Sequence, residues 1–266
     1  MSEPSPNLPE LAGILNVTPD SFSDGGRFLE VEAAIERGVS MAREGARWVD
    51  VGGESTRPGA EEIPLAEELR RVLPVVEGLV ARGVSVSIDT RKPEVARAAL
   101  AAGAEVVNDV GGFELDGMIE AVASAGAGAV VMHMRGRPLT MQLDTRYDDL
   151  VDEVRAVLAQ RIEVLRAAGV GRIWADPGIG FGKSPEGCAA LIRRLEELSA
   201  LGVPLYVGAS RKSFVGHLTG QRRADQRLAG SLGAAAAAVL GGASVLRVHD
   251  VGETAAFLAV FEACKP

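Results

Sequence analysis

The chain has 266 residues, 47% hydrophobic and 24% charged, with a formal net charge of −8. That excludes a disordered chain and leaves room for a core that removes about three-quarters of the unfolded surface from water. The acidic balance excludes binding to nucleic acid or anionic membrane through overall charge, although a local basic site stays open.

In chain order, Met1–Glu10 is polar, carries three prolines, and reads as a flexible N-terminal segment without the apolar stretch of a secretory leader. A single domain is expected over residues 11–266. Strand Leu11–Leu15 precedes helix Val31–Glu44, and strand Trp48–Val51 precedes helix Leu65–Ala81. Leu69, Val72, Leu73, Val76, Leu79 and Val80 give that second helix an apolar stripe, with a kink expected at Pro74. Strand Val84–Ile88 leads to helix Pro93–Ala102, strand Glu105–Val107 to helix Asp116–Ser124, and strand Ala129–His133 to helix Tyr147–Ala168. Strand Arg172–Ala175 leads to helix Glu186–Ser199, strand Pro204–Val207 to helix Arg223–Leu240, and strand Val245–Val248 to helix Glu253–Ala263. The uncharged Leu228–Leu246 stretch is broken by Gly241-Gly242 and reads as buried helix, turn and strand, not a membrane span. Cys188 and Cys264 lack disulfide-framework or zinc-site spacing, and a cytoplasmic protein is expected.

Strand-then-helix alternation over this length predicts a (β/α)8 TIM barrel, with an open doubly wound sheet as the competitor. Polar residues stand at or just beyond nearly every strand end: Asn16, Asp50, Asp89, Asn108-Asp109, His133, Asp176, Ser210 to Ser213, then Arg247 and His249. In a barrel these converge on the C-terminal rim, where such enzymes place their sites. Asp89, Asn108, Asp176 and Lys212, around the small Gly208, complement the adjacent N–H donors and carbonyl of an aminopyrimidinone edge. Arg57, Lys212, Arg247 and His249, with the Thr56 and Ser213 hydroxyls, suit an anion, and Ser213 is expected to open a turn over Ser213–Leu218. Ion pairing of these cations with rim carboxylates is the plain structural alternative. Pro177 to Ser184 nearly spells a P-loop, but Pro177 replaces its first glycine and removes a backbone donor. No tight zinc site is spaced in the sequence; a hard Mg2+ ion suits Asn16 and Asp24 together with substrate phosphate.

Leu15 to Gly26, Gly52 to Gly59, Asp176 to Lys183, Ser210 to Ser213 and Arg247 to Asp250, in this order, resemble the dihydropteroate synthase family. Thr145, where many relatives carry proline, is a minor departure in a connecting segment. The resemblance implies a folate-biosynthesis transferase, a sulfonamide target in its family and usually a homodimer. It joins 6-hydroxymethyl-7,8-dihydropterin diphosphate to 4-aminobenzoate, giving 7,8-dihydropteroate and diphosphate. By matched position, Asp89, Asn108, Met132, Asp176, Phe181, Gly208 and Lys212 would hold the pterin. Thr56, Arg247 and His249 would hold the diphosphate, and Asn16 would ligate Mg2+. Phe22, Arg57, Pro58, Lys212 and Ser213 would form the aminobenzoate pocket, with Asp20, Glu54 and Asp109 as loop supports. Asp24, Arg57 and Lys212 are the candidate catalytic residues.

An aromatic amine is neutral at pH 7, so the difficult event is C–O cleavage. An SN1-like departure of diphosphate, with Mg2+, Arg247 and His249 drawing off its charge, is therefore expected. The glycine-flanked first and second loops are expected to order over ligands, pterin diphosphate binding first. The rivals are a pterin-dependent methyltransferase barrel, which has no need of the anion-binding set, and a silent pterin-binding paralogue.

Overall fold

The computed structural model describes residues 8–18 and 27–264. Eight parallel strands close into a barrel in sequence order: β1 Glu10–Asn16, β2 Ala46–Gly52, β3 Val86–Asp89, β4 Val106–Asp109, β5 Gly128–Met132, β6 Arg172–Asp176, β7 Leu205–Val207 and β8 Ala243–Val248. Closure comes from β1 lying beside β8, Glu10 opposite Val245 and Gly13 opposite Val248. This is the expected (β/α)8 barrel, and the open sheet is excluded. β1 starts at Glu10, inside the segment assigned to the flexible terminus. Phe22 and Asp24, with Asp20, lie outside the described residues.

The helices are α1 Arg27–Arg43, α2 Leu65–Ala81, α3 Pro93–Ala101, α4 Met118–Ala125, α5 Leu150–Ala167, α6 Pro185–Arg193, α7 Ser213–Thr219, α8 Leu228–Leu240 and α9 Val251–Cys264. Helix α2 continues through Pro74 and buries Val72, Val75, Val76 and Leu79 on the outside of the barrel. Asp149 caps α5 by accepting from the N–H groups of Val151 and Asp152, and Ser184 caps α6 through the N–H of Gly187. Three expectations need correcting. The helix expected over Glu186–Ser199 ends at Arg193 and gives way to a 3-10 stretch, Leu195–Leu201. The helix expected from Arg223 starts at Leu228, after a short 3-10 turn at Ala224–Gln226. Ser213, expected in a turn, opens the short helix α7. Among the described residues, no helix is long and apolar enough to cross a membrane.

Strand periodicity positions the site. Residues two apart share a face, so each strand sends one side chain into a lower layer of the barrel interior and a second into an upper layer. Ala12, Trp48, Val106, Val130, Tyr206 and Val245 pack together as the lower, apolar layer, with Trp174 against them. The Trp48 and Trp174 rings meet edge to face, centroids 5.3 Å apart. Two residues further along the same strands come Asp50, Asn108, Met132, Asp176, Gly208 and Arg247, and Asp89 follows Ser87 likewise. A dry plug therefore underlies a polar layer at the C-terminal mouth. The opposite faces, including Val49, Val51, Ile88, Val107 and Val131, are buried under the helices.

Candidate active site

The upper layer is built around one arginine and two carboxylates. Arg247 donates from Nε to Asp50 Oδ2 and from Nη2 to Asp89 Oδ2, both at 2.6 Å. Asn108 Nδ2 donates to the same Asp50 oxygen at 3.0 Å. Asp50, Asp89 and Asn108 are buried, while Arg247 is partly accessible from the mouth. The Oδ1 atoms of Asp50 and Asp89 are buried without a hydrogen-bond partner. Burial pushes Asp89 up to about 7, against the pull of Arg247 and with Asp50 as the next contributor. Arg247, despite burial, is held above the ordinary arginine range by Asp50 and Asp89. The plain alternative for this cation, pairing with rim carboxylates, is thus what the structure displays, and it leaves Asp89 Oδ1 as an uncommitted acceptor.

Beside this cluster Asp176 closes β6. Its Oδ1 accepts the Gly178 N–H at 2.7 Å, and burial raises its pKa above the usual carboxylate range. Gly208 follows β7 between Arg247 and Asp176; a Cβ there would meet Arg247 Cβ at 3.7 Å and Asp176 Oδ2 at 4.0 Å, ordinary contact distances. Lys212 Nζ sits 3.9 Å from the centre of the Phe181 ring, making one wall. Burial, then Arg247, depresses Lys212 to about 8. Met132 is buried with Phe181, Val110 and Met141 in a separate apolar cluster.

The 177–183 loop is held from within by a lysine that sequence reasoning missed. Lys183 is 2% exposed. Its Nζ donates to the carbonyls of His133 at 3.2 Å, Gly178 at 3.0 Å and Phe181 at 2.9 Å, and lies 2.9 Å from His133 Nδ1. Gly178 is obligatory here: its φ is +69°, and a Cβ would lie 1.9 Å from the His133 carbonyl oxygen. Burial pushes Lys183 down to about 7 and His133 down to about 3. An ammonium withdrawn from water this completely needs such partners, and these three carbonyls supply them.

Lys212 is placed by its neighbour. Arg211 adopts φ +56°, a conformation that costs a non-glycine residue about 1–3 kcal/mol. Its Nε and Nη2 pair with Asp250, its N–H donates to Ser231 Oγ at 2.9 Å, and its carbonyl accepts from Arg227 Nη1 at 2.9 Å. His249 is partly buried, with Nδ1 3.0 Å from Ser210 Oγ; burial pushes it down to about 3, so its imidazole is neutral.

The second loop is fixed at its root. Glu54 accepts from Arg91 at 2.9 Å, Lys92 at 2.6 Å and the Ile63 N–H at 3.0 Å, and Lys92 also reaches the buried Glu68. Despite burial, Arg91 and Lys92 hold Glu54 below the usual carboxylate range. Further out, Thr56 is partly buried, while Arg57 and Pro58 are exposed, the Arg57 carbonyl accepting the Ala60 N–H at 3.0 Å within the loop. Ser213 is exposed at the start of α7. Asp109 props the β4 loop by accepting from Gly111 and Phe113, both at 2.7 Å, which secures Phe113 at φ +61°.

Asn16 ends β1 beside Gly52, partly accessible. Among the described residues, no group of three or more His, Cys, Asp or Glu could cage a metal ion. Asn16, with a hard amide oxygen and partial access to the mouth, is of the donor type that Mg2+ takes alongside substrate phosphate.

A family model described as "Pterin binding enzyme" matches residues 12–249. The dihydropteroate synthase of Synechocystis sp. is 46% identical over 255 residues, covering 94% of this chain and 88% of that one. A Xanthomonas albilineans dihydropteroate synthase solved with 4-aminobenzoic acid superposes with a TM-score of 0.91 at 48% identity, covering 98% of this chain and 95% of that one. The Thermus thermophilus enzyme in complex with 6HMPPP gives a TM-score of 0.86 at 43% identity, covering 98% and 95% of the two chains.

Proposed function

The chain belongs to the dihydropteroate synthase family of transferases, and we propose that its barrel mouth binds a pterin diphosphate and splits it by a dissociative displacement. The substrates are 6-hydroxymethyl-7,8-dihydropterin diphosphate and 4-aminobenzoate; the products are 7,8-dihydropteroate and diphosphate. The observation that carries the reading is the buried acceptor set, Asp89 with its unpartnered Oδ1 and Asp176 across the slot, facing the Phe181–Lys212 wall.

Asp176, Asn108 and Asp89 supply acceptors for the ring N–H groups, and Lys212 and Phe181 cover one face of the heterocycle. Met132 lines the slot, and Gly208 leaves room for the flat ring. Arg247 and the neutral His249 stand at β8, where their N–H groups take the diphosphate together with Thr56. Asn16 would hold a Mg2+ ion together with the substrate diphosphate, and that ion would supply further neutralisation of the leaving group.

The bond from the exocyclic CH2 to the diphosphate oxygen breaks first, its electron pair leaving with diphosphate. The carbon becomes cationic, with charge spread over the pterin, and the Asp89 and Asp176 carboxylates favour that charge. The neutral amine of 4-aminobenzoate then attacks the carbon without prior deprotonation, and the ammonium so formed gives up its extra proton to the released diphosphate or to water, leaving neutral 7,8-dihydropteroate. Arg57 and Pro58 of the second loop, Lys212 and Ser213, with Phe22, form the aminobenzoate pocket, and Asp24 shields the cation. The exposure of Arg57, Pro58 and Ser213 fits groups that engage a ligand after it arrives, which makes binding ordered, pterin diphosphate first. Assembly as a homodimer is proposed from family membership alone. Purified chain supplied with both substrates and Mg2+ should form 7,8-dihydropteroate and diphosphate in equal amounts; diphosphate release without pteroate, or no turnover, overturns the proposal.

A further inference from the structure

We infer that Asp50 is a positioning residue of this reaction, one carboxylate oxygen setting both the Asn108 amide and the Arg247 guanidinium against the substrate. The inference rests on the reading that those two groups bind pterin diphosphate. Asp50 is 0% exposed at the C-terminal part of β2, directly above Trp48 on the same strand face.

Its Oδ2 receives Asn108 Nδ2 at 3.0 Å and Arg247 Nε at 2.6 Å. The Nδ2–Asp50 bond fixes which way the amide is turned, with its oxygen on the opposite branch, so Asn108 can offer a ligand an acceptor for a ring N–H. Arg247 is forked between two carboxylates, Nε on Asp50 and Nη2 on Asp89, which leaves Nη1 outside the fork. Asp89 divides its carboxylate between Arg247 at Oδ2 and the heterocycle awaited at Oδ1. Asp50 has no such second task, so its bond to Arg247 Nε is the one that ligand binding leaves undisturbed. Beneath the pair lie Trp48, Val106, Val130 and Tyr206, all buried, so water does not replace a lost hydrogen bond there. Two residues drawn from β4 and β8 are thereby coupled through a third on β2.

The test uses the full chain and three variants: Asp50→Asn, which keeps the volume, Asn108→Ala, and the double variant. Wild-type turnover is measured first; its absence overturns the functional reading and this inference with it. With an active wild type, D50N is expected to lower kcat/KM for pterin diphosphate at least tenfold, with KM for 4-aminobenzoate within twofold. A packing defect would not spare one substrate in this way. In the double-mutant cycle the combined loss should fall short of the product of the single losses, because both act through one amide. Unchanged pterin kinetics in D50N, or losses that multiply, overturn the inference. If D50N does not fold, Asn108→Asp decides. It brings a carboxylate against Asp50 with no donor between them, and pterin diphosphate affinity should drop at least tenfold. Affinity equal to wild type overturns the inference.

Discussion

The protonation of Lys212 is open to direct test. Burial, reinforced by Arg247, brings this ammonium from 10.5 down to about 8, a difference worth about 3 kcal/mol against the charged form in the folded chain. Only the ammonium form makes the cation contact over the Phe181 ring and presents three N–H donors to the ligand. The free enzyme should therefore lose pterin capture as pH climbs through 8. kcat/KM for pterin diphosphate reports free-enzyme ionisation and should fall tenfold for each further pH unit. The stability sign is opposite. The unfolded chain holds this proton up to about 10.5 while the folded chain releases it near 8, so this group makes the fold more stable as pH rises across that window. Lys212→Arg replaces the ammonium with a guanidinium that does not titrate in this range; whatever its absolute rate, the variant's alkaline limb near 8 should vanish. Initial rates from pH 6 to 10, in wild type and K212R, make the comparison. A wild-type profile flat to pH 10, or a limb retained by K212R, refutes the reasoning.

Further outcomes follow from the same geometry. Asp176→Asn exchanges a charge-assisted acceptor for a mixed amide and should weaken pterin diphosphate binding by roughly 1.5–3 kcal/mol in calorimetry. Arg57→Ala should leave pterin diphosphate affinity within twofold while slowing turnover and raising KM for 4-aminobenzoate; equal loss of both affinities would remove Arg57 from its assigned pocket. Gly178→Ala forces a Cβ against the His133 carbonyl at positive φ, with strain and overpacking together costing about 2–5 kcal/mol. Thermal melting should register this as a drop of about 5–15 °C. His133 and His249, both pushed by burial to about 3, should show no titration in NMR between pH 5 and 8. The unfolded chain protonates them near 6.5, so together they withdraw stability as pH falls from there toward 3. Asp89 and Asp109, pushed up to about 7 and about 6, act in the opposite direction through the upper part of that window.

The barrel was legible because a parallel strand covered on both faces leaves an unbroken apolar run, and eight such runs admit few arrangements. The strand-end residues were legible for a related reason: Asp89, Asn108, Asp176 and Arg247 interrupt runs that are otherwise Val, Ile and Leu. Period alone does not show where an α-helix tightens. Leu191, Ile192, Leu195 and Leu198 continue one buried stripe through the change from α6 to 3-10 geometry at Arg194. Pairings across the barrel were also beyond reach. Asp50 and Arg247 are 197 residues apart, and only closure of the barrel makes them neighbours. Lys183 reads as the tail of a glycine-rich loop, and its insertion among the carbonyls of that loop depends on Gly178 taking positive φ. Asp50 stood among the strand-end residues of the rim, but nothing in the sequence tied it to Asn108 or Arg247. Arg211 and Asp250 stood side by side with recognised residues in their motifs, but nothing in those motifs tied them to each other.

If one mouth of the barrel seats a flat heterocycle on buried acceptors while Arg247 and its neighbours receive the phosphorylated tail, a crystal structure of the chain with 6-hydroxymethyl-7,8-dihydropterin diphosphate tests it most directly. The ring edge should lie on Asp176, Asn108 and Asp89, with one face against Lys212 and Phe181. The diphosphate should stand within hydrogen-bond reach of Arg247 and His249. The ester lodged at another surface, with Asp176 and Lys212 unengaged, would contradict this arrangement.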